Sequence, residues 1–168
     1  AEDASAWDAP STLLAAYGQR LKRLSKPARD VARCLALIGG TPPLSIVESA
    51  TALPADAFSL ATTELERRRV MEIDRRGEED TADLHSEALR TALLDSLTAN
   101  DARALHRRAA AAWLKQAHLR PEATAQAARH LFAAGENRAA FPHALEAAYR
   151  AGEALDLNTT RKWMLQIG

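Results

Sequence analysis

The feature that most constrains this chain is the period of its apolar residues. It is helical almost throughout and switches to a period of two at one place, Val70 to Asp74. Alanine is the commonest residue, and aromatics make up only 5% of the chain. Ala has the highest helix propensity and a side chain small enough for two helices to approach closely. Val and Ile are too few for a large sheet. With 47% hydrophobic residues, the chain can still bury a core. The expected fold class is mainly α, with one small β-hairpin.

Start and stop signals divide the helical pattern. Ser11 reads as an N-cap, with Leu13, Leu14, Tyr17, Leu21 and Leu24 following at helical spacing. Ser25 caps a second helix that carries Pro27 in its first turn, where a missing N–H costs little. Its inner face is Val31, Cys34, Leu35 and Ile38, and Gly39-Gly40 ends it. A short helix from Leu44 to Ala50 places Ile46 and Val47 inward. Another runs from Leu53-Pro54 to about Arg69 through Phe58, Leu60, Thr63 and Leu65. The alternating stretch 70–74, the polar turn Arg75 to Asp80 and a return over Thr81 to His85 predict a hairpin. A helix from Ser86 to Leu97 follows, with Leu89, Leu93, Leu94 and Leu97. Three helices and then a hairpin is the winged-helix order.

From Asn100 the pattern is of helix pairs with small facing residues, as a helical-repeat array requires. Helices are expected over Asp101–Gln116, Pro121–Ala134 and Arg138–Leu155, with another from Asn158. The expected inner faces are Leu105/Ala109/Ala112, Ala127/Ala128/Leu131 and Phe141/Ala144/Leu145/Ala148/Ala151. Pro142 requires the third of these helices either to begin nearer Phe141 or to kink. The organisation expected is a flexible lead-in over 1–10, a winged-helix-like arm over 11–99 and truncated tetratricopeptide-like repeats over 100–168. Both ends read as cut from a longer protein.

Charge and motifs narrow the function. Lys plus Arg and Asp plus Glu each number 22, so nothing in the balance favours a polyanion. The single Cys34 cannot form an internal disulfide, which fits a reducing cytoplasm. No apolar run is long enough to suggest a membrane partner. Gly39-Gly40 is followed by Thr41-Pro42 and lacks the lysine of a phosphate-binding loop. No Cys-x-x-Cys or His-Glu-x-x-His occurs, so no metal site is signalled. His85, His106, His118, His130 and His143 are dispersed, and each reads best as exposed or locally hydrogen-bonded. No acid–base or nucleophilic constellation stands out, so no catalytic residue is expected and the chain reads as a non-enzyme. Arg67-Arg68-Arg69 and Arg75-Arg76 raise DNA binding. Against it, the recognition-helix position opens Ala55-Asp56-Ala57-Phe58, and the hairpin turn continues Glu78-Glu79-Asp80.

Several stretches resemble one family. Leu84 to Leu97 is similar to the "F-R-H-x-L-x-R-E-A-x-Y-x-S-L" segment of the signal-transduction ATPases with numerous domains (STAND). Ala102 to Ala110 resembles their "R-x-x-L-H-R-x-x-A" helix, and Ala127 to Glu136 their "A-x-x-H-x-x-x-A-G-D/E" helix. Ala139 to Ala148 is similar to the next one, and Leu24 to Gly39 resembles the opening of the same arm. The family includes bacterial LuxR-type large ATP-binding regulators and multidomain Ser/Thr kinases with a STAND module. The resemblance implies a non-catalytic arm and sensor segment that relays nucleotide or partner state by conformational change. No cofactor is expected in the segment itself, with ADP or ATP bound by the parent protein. The implied partners are the upstream nucleotide-binding domain of the same chain and a protein or small-molecule inducer on the repeats.

In the family, a His at the end of the second hairpin strand can face the bound ADP. Aligned on Arg90, Ala92, Leu93, Ser96 and Leu97, that position falls on Ser86, and His85 lies one residue earlier. The resemblance therefore marks His85 and Ser86 as candidate cofactor-binding residues. The residues themselves favour a structural role, with Ser86 capping the next helix while His85 packs by the hairpin. Two other functions stay open at this point: a free-standing helical interaction module and a DNA-binding winged helix.

Overall fold

The computed structural model describes residues 11–153, 161, 162 and 165, with side chains from Ala16 onward. The lead-in over 1–10, the side chains of Leu13 and Leu14, Leu155 and most of the helix expected from Asn158 lie outside the described residues. Among the described residues the protein is mainly helical, with one two-stranded antiparallel sheet. The helices are α1 (Ser11–Lys22), α2 (Lys26–Ile38), α3 (Leu44–Thr51), α4 (Ala55–Arg67), α5 (Glu87–Asp95), α6 (Ala99–Lys115), α7 (Ala123–Ala133) and α8 (Asn137–Glu153). The strands β1 (Met71–Asp74) and β2 (Thr81–Leu84) lie between α4 and α5.

Local chemistry sets the element ends. The Ser25 hydroxyl accepts from the Ala28 N–H and caps α2. Glu64 of α4 accepts from the Ser25 backbone N–H at 3.2 Å, which ties the start of α2 to α4. Thr98 accepts from the Asp101 N–H, so α6 starts at Ala99, slightly before the expected Asp101. Two helices close with paired reverse bonds. At the end of α7, Gly135 (φ 81°) donates to Phe132 and Glu136 to Leu131. At the end of α4, Arg69 donates to Glu66 and Val70 to Leu65, with Arg69 itself at φ 54°. This termination suits glycine at the left-handed position. Gly135 meets that demand, whereas Arg69 does so against its Cβ.

The hairpin pairs Met71 with Leu84 and Ile73 with Ala82. Met71, Ala82 and Leu84 are buried, while Glu72 and Asp74 face outward. The loop before α3 joins its edge: Pro43 bridges Thr81, Leu44 N–H donates to Asp80 at 2.8 Å and Ala82 N–H to Pro42 at 3.0 Å. The core is continuous from α1 to α7. It centres on α2, where every residue from Cys34 to Ile38 is buried.

The structure corrects several expected inner faces. Leu60 is 73% exposed and Thr63 is exposed, because α4 buries Phe58, Ala61, Thr62 and Leu65 at i, i+3, i+4, i+7. Leu94 of α5 also lies outward. On α8, Phe141 and Leu145 are 46% and 49% exposed, and Ala140, Ala144, Ala147 and Ala148 are buried instead. The small face meets α7 because only alanines allow two helices to come that close, so the bulky residues turn away. Helix α8 begins well before Phe141, at Asn137, and runs through Pro142, which offers no N–H to the Arg138 carbonyl.

Arg69→Gly is expected to stabilise the protein by about 1 kcal/mol, since it removes a Cβ from a left-handed residue without touching either terminating bond. Urea unfolding of the two proteins at equal m-value reads the difference, and an unchanged midpoint would count against strain at Arg69.

Candidate functional site

The two residues singled out by the resemblance sit side by side and behave differently. Ser86 is the N-cap of α5: its hydroxyl accepts from the Leu89 N–H at 3.2 Å and donates to the Tyr17 hydroxyl at 3.2 Å. Its side chain therefore joins α5 to α1. His85 follows the last residue of β2. Its backbone N–H reaches the Val70 carbonyl at 3.2 Å, and its side chain is exposed. The structure does not bring the two imidazole and hydroxyl groups onto a common partner.

Around them, arginines tie α5 to α2 and α7 to α2. Arg90 of α5 donates to the Ala36 carbonyl at 2.9 Å and lies 3.4 Å from Asp83 and 3.2 Å from Glu87. Arg129 of α7 donates to the Ile38 carbonyl at 2.7 Å. Arg33 of α2 holds both the hydroxyl and the carbonyl of Ser96, at 3.0 and 3.1 Å. A closed polar ring fixes the hairpin turn: Ser45 donates to Glu79 at 3.0 Å, Gln116 to Ser45 at 3.2 Å, Arg120 to Gln116 at 2.7 Å, and Arg120 also holds Glu79. The ring thus ties the turn to the start of α3 and to the α6–α7 connection.

At the other end of α6, residues of α2, α6 and the end of α3 line an open cleft of about 380 Å³. Leu53, Leu97 and Leu105 give it apolar walls, and Lys26, Arg33 and Arg108 bring positive charge to it. Asp30 and Asp101 also line it, and Asp30 pairs with Lys26 at 2.8 Å. Its volume is in the range of small-molecule sites.

Arg68, Arg75 and Arg76 of the arginine clusters each have a carboxylate partner. Arg75 makes two bonds of 2.9 Å to Glu66, and Arg68 meets Glu64 at 3.1 Å. Arg75 holds Glu66 below the usual carboxylate range, and Ser25 with Arg68 does the same for Glu64. Arg76 grips Asp74 at 2.9 and 3.0 Å and holds its carboxyl down at about 2. Cys34 is wholly buried, and loss of hydration pushes its thiol up to about 12.

One constellation escaped the sequence reading. His106 of α6 and His130 of α7 meet with their Nδ1 atoms 2.9 Å apart, and His130 is only 1% exposed. Reading each histidine as exposed or locally bonded is thus wrong for this pair. The signal was present: both residues lie equally far from His118, in the connection between two helices that fold back on each other. Antiparallel packing brings such positions face to face. Among the described residues, no group of three or more His, Cys, Asp or Glu side chains is placed to hold a metal ion. No described helix is long and apolar enough to cross a membrane.

No protein-family model matches the chain, and no curated protein or solved structure is significantly similar to it.

Two outcomes follow from this geometry. Ser86→Ala is expected to cost about 1 kcal/mol in urea unfolding through the lost cap. Cys34 is expected to resist thiol-specific reagents at pH 8 in the folded protein and to react once urea unfolds it, because the thiolate is the nucleophile and burial suppresses it. Rapid labelling of the native protein would contradict the burial.

Proposed function

We propose that this chain is the winged-helix arm and the start of the tetratricopeptide-like sensor of a STAND-type signal-transduction ATPase, and that it works by conformational relay without chemistry of its own. The observation that carries this reading is the polar ring of Ser45, Glu79, Gln116 and Arg120, which couples the hairpin turn to the helical hairpins. A winged helix that only has to fold has no need to hold its turn to a second set of helices. A relay does, because both parts must respond to one equilibrium.

Three further features agree. The loop at Pro43 adds a bridge to β2, which is where the first, short strand of a winged helix lies. Helices α6, α7 and α8 follow one another with small residues packed at their interfaces, as repeat helices do. The exposed His85 stands at the hairpin base, free to meet an upstream nucleotide-binding domain, while Ser86 is engaged as a cap. In this reading His85, rather than Ser86, is the residue that meets ADP. The cleft beside α6 is the place for a small-molecule inducer, and the protein would work in the cytoplasm.

The DNA-binding alternative has less support, since Arg68, Arg75 and Arg76 each already hold a carboxylate. A free-standing interaction module would share the repeat helices but leave the ring without a task.

The test is a longer form of the protein that includes the region upstream. Calorimetry should find ADP binding in the long form and none in the present chain alone. His85→Ala should weaken that binding about tenfold, the loss of one charge-assisted hydrogen bond. Glu79→Gln, which loosens the ring, should change the response to nucleotide without abolishing folding. An upstream sequence with no phosphate-binding loop, or a long form that ignores ADP and ATP, would overturn the reading.

A further inference from the structure

The histidine pair sits at a mechanically sensitive place. Arg129, next to His130 in sequence, does two things: it holds the last carbonyl of α2 at Ile38, and it lies 3.5 Å from Nε2 of His130. A guanidinium can only donate, so Nε2 of His130 is the acceptor. The single proton of a neutral His130 is then on Nδ1, where it is donated to Nδ1 of His106. His106 carries its own proton on Nε2. The order of donation runs from Arg129 to His130 to His106.

This chain has no room for another proton. If His130 gains one, its Nε2–H faces the Arg129 N–H. If His106 gains one, its Nδ1–H faces the Nδ1–H of His130, and turning His130 to its other tautomer only moves the conflict back to Arg129. Every placement leaves one donor against a donor. Charge points the same way, since the added proton joins a guanidinium. We propose that His106, His130 and Arg129 form an acid-sensitive joint, at which proton uptake frees Arg129 from Ile38 and loosens the α7–α8 hairpin from the rest of the molecule.

The surroundings offer no relief. From α6, Arg107 faces the same interface but is engaged by Glu136 at 3.1 Å. From α2, only the Ile38 carbonyl reaches the cluster through Arg129. On α8, packed against α7, the described titratable side chains are Arg138, His143, Glu146, Tyr149 and Arg150, and Glu146 holds Arg150. Burial, then Arg129 and His106, lowers the pKa of His130 to about 3, and burial with Arg129 also lowers that of His106. A histidine depressed in the folded state contributes stability that is complete above its unfolded pKa of about 6.5 and is lost as pH falls toward the folded value. The joint does not depend on the regulatory-arm reading.

The experiment follows pH in the present protein. Nitrogen-15 NMR of the imidazoles at pH 7.5 should show His130 protonated on Nδ1 and His106 on Nε2. Urea unfolding should then show an unfolding constant that rises roughly 30-fold from pH 8 to about pH 5 on account of His130 alone, with His106 adding in the same direction. Hydrogen exchange, corrected for its intrinsic pH dependence, should show α7 and α8 losing protection before α2 to α4. A His106→Leu, His130→Leu double variant keeps His85, His118 and His143, and it should flatten the pH dependence. Imidazoles of the pair titrating independently near pH 6.5, an equally steep double variant, or loss of protection spread evenly over α2 to α8 would each overturn the joint. Should the double variant not fold, the tautomers and the exchange pattern of the unmodified protein still decide.

Discussion

The constraint on which the rest of the molecule depends is the buried end of α2. A helix leaves its last carbonyls without partners, and water normally takes them. Helix α2 is buried through Ile38, so water is largely replaced there. The Gly39 N–H takes the Leu35 carbonyl at 3.1 Å. Arg90 takes Ala36 and Arg129 takes Ile38. Two distant helices thus supply the missing donors, and each brings a positive charge to the negative end of the α2 dipole. The docking of α5 and of α7 is in this sense a consequence of ending a helix inside the protein. Leaving any of these carbonyls unpaired would cost roughly 1–3 kcal/mol each, a large fraction of a typical domain's stability.

From that end, the two halves of the chain are linked in distinct ways. Close to α2 the links are arginine-to-carbonyl bonds, directional and short. At the hairpin turn, the link is the ring of Ser45, Glu79, Gln116 and Arg120, which is made wholly of side chains. Between them lies apolar packing of α6 on α3 and α2. Apolar packing resists separation but tolerates small sliding. Polar bonds at both ends of the contact restrict that sliding.

Much of the fold was legible because local chemistry decides it. Ser25, Ser86, Gly39 and Gly135 announce helix ends by what their side chains, or lack of them, permit. The change of period at Val70 announces the hairpin. What was not legible depends on partners far away in sequence. His106 and His130 each read as exposed or locally bonded, yet their Nδ1 atoms meet at 2.9 Å across two helices. Phe141 and Leu145 read as core by hydrophobicity, but the inner face of α8 is chosen by the width of the gap to α7, and alanines win that contest. At the candidate site, the capping role of Ser86 followed from its place before an apolar helix. His85, next after buried Leu84, falls on the outward face that the alternation also gives Thr81 and Asp83.

The same distinction governs how the basic residues are to be understood. A sequence count treats Arg68, Arg75 and Arg76 as available charge. In the folded protein each faces its own carboxylate at about hydrogen-bond distance, and Arg75 and Arg76 do so with two bonds apiece. A phosphate would have to displace these carboxylates, and the site would then hold a freed acid beside the incoming anion. That repulsion offsets most of what a surface guanidinium gains from a phosphate. Arg129 carries the argument further. Its charge serves a carbonyl on one side and forbids a proton on the other, so the worth of a cation here lies in what it orders within the fold rather than in what it attracts from outside.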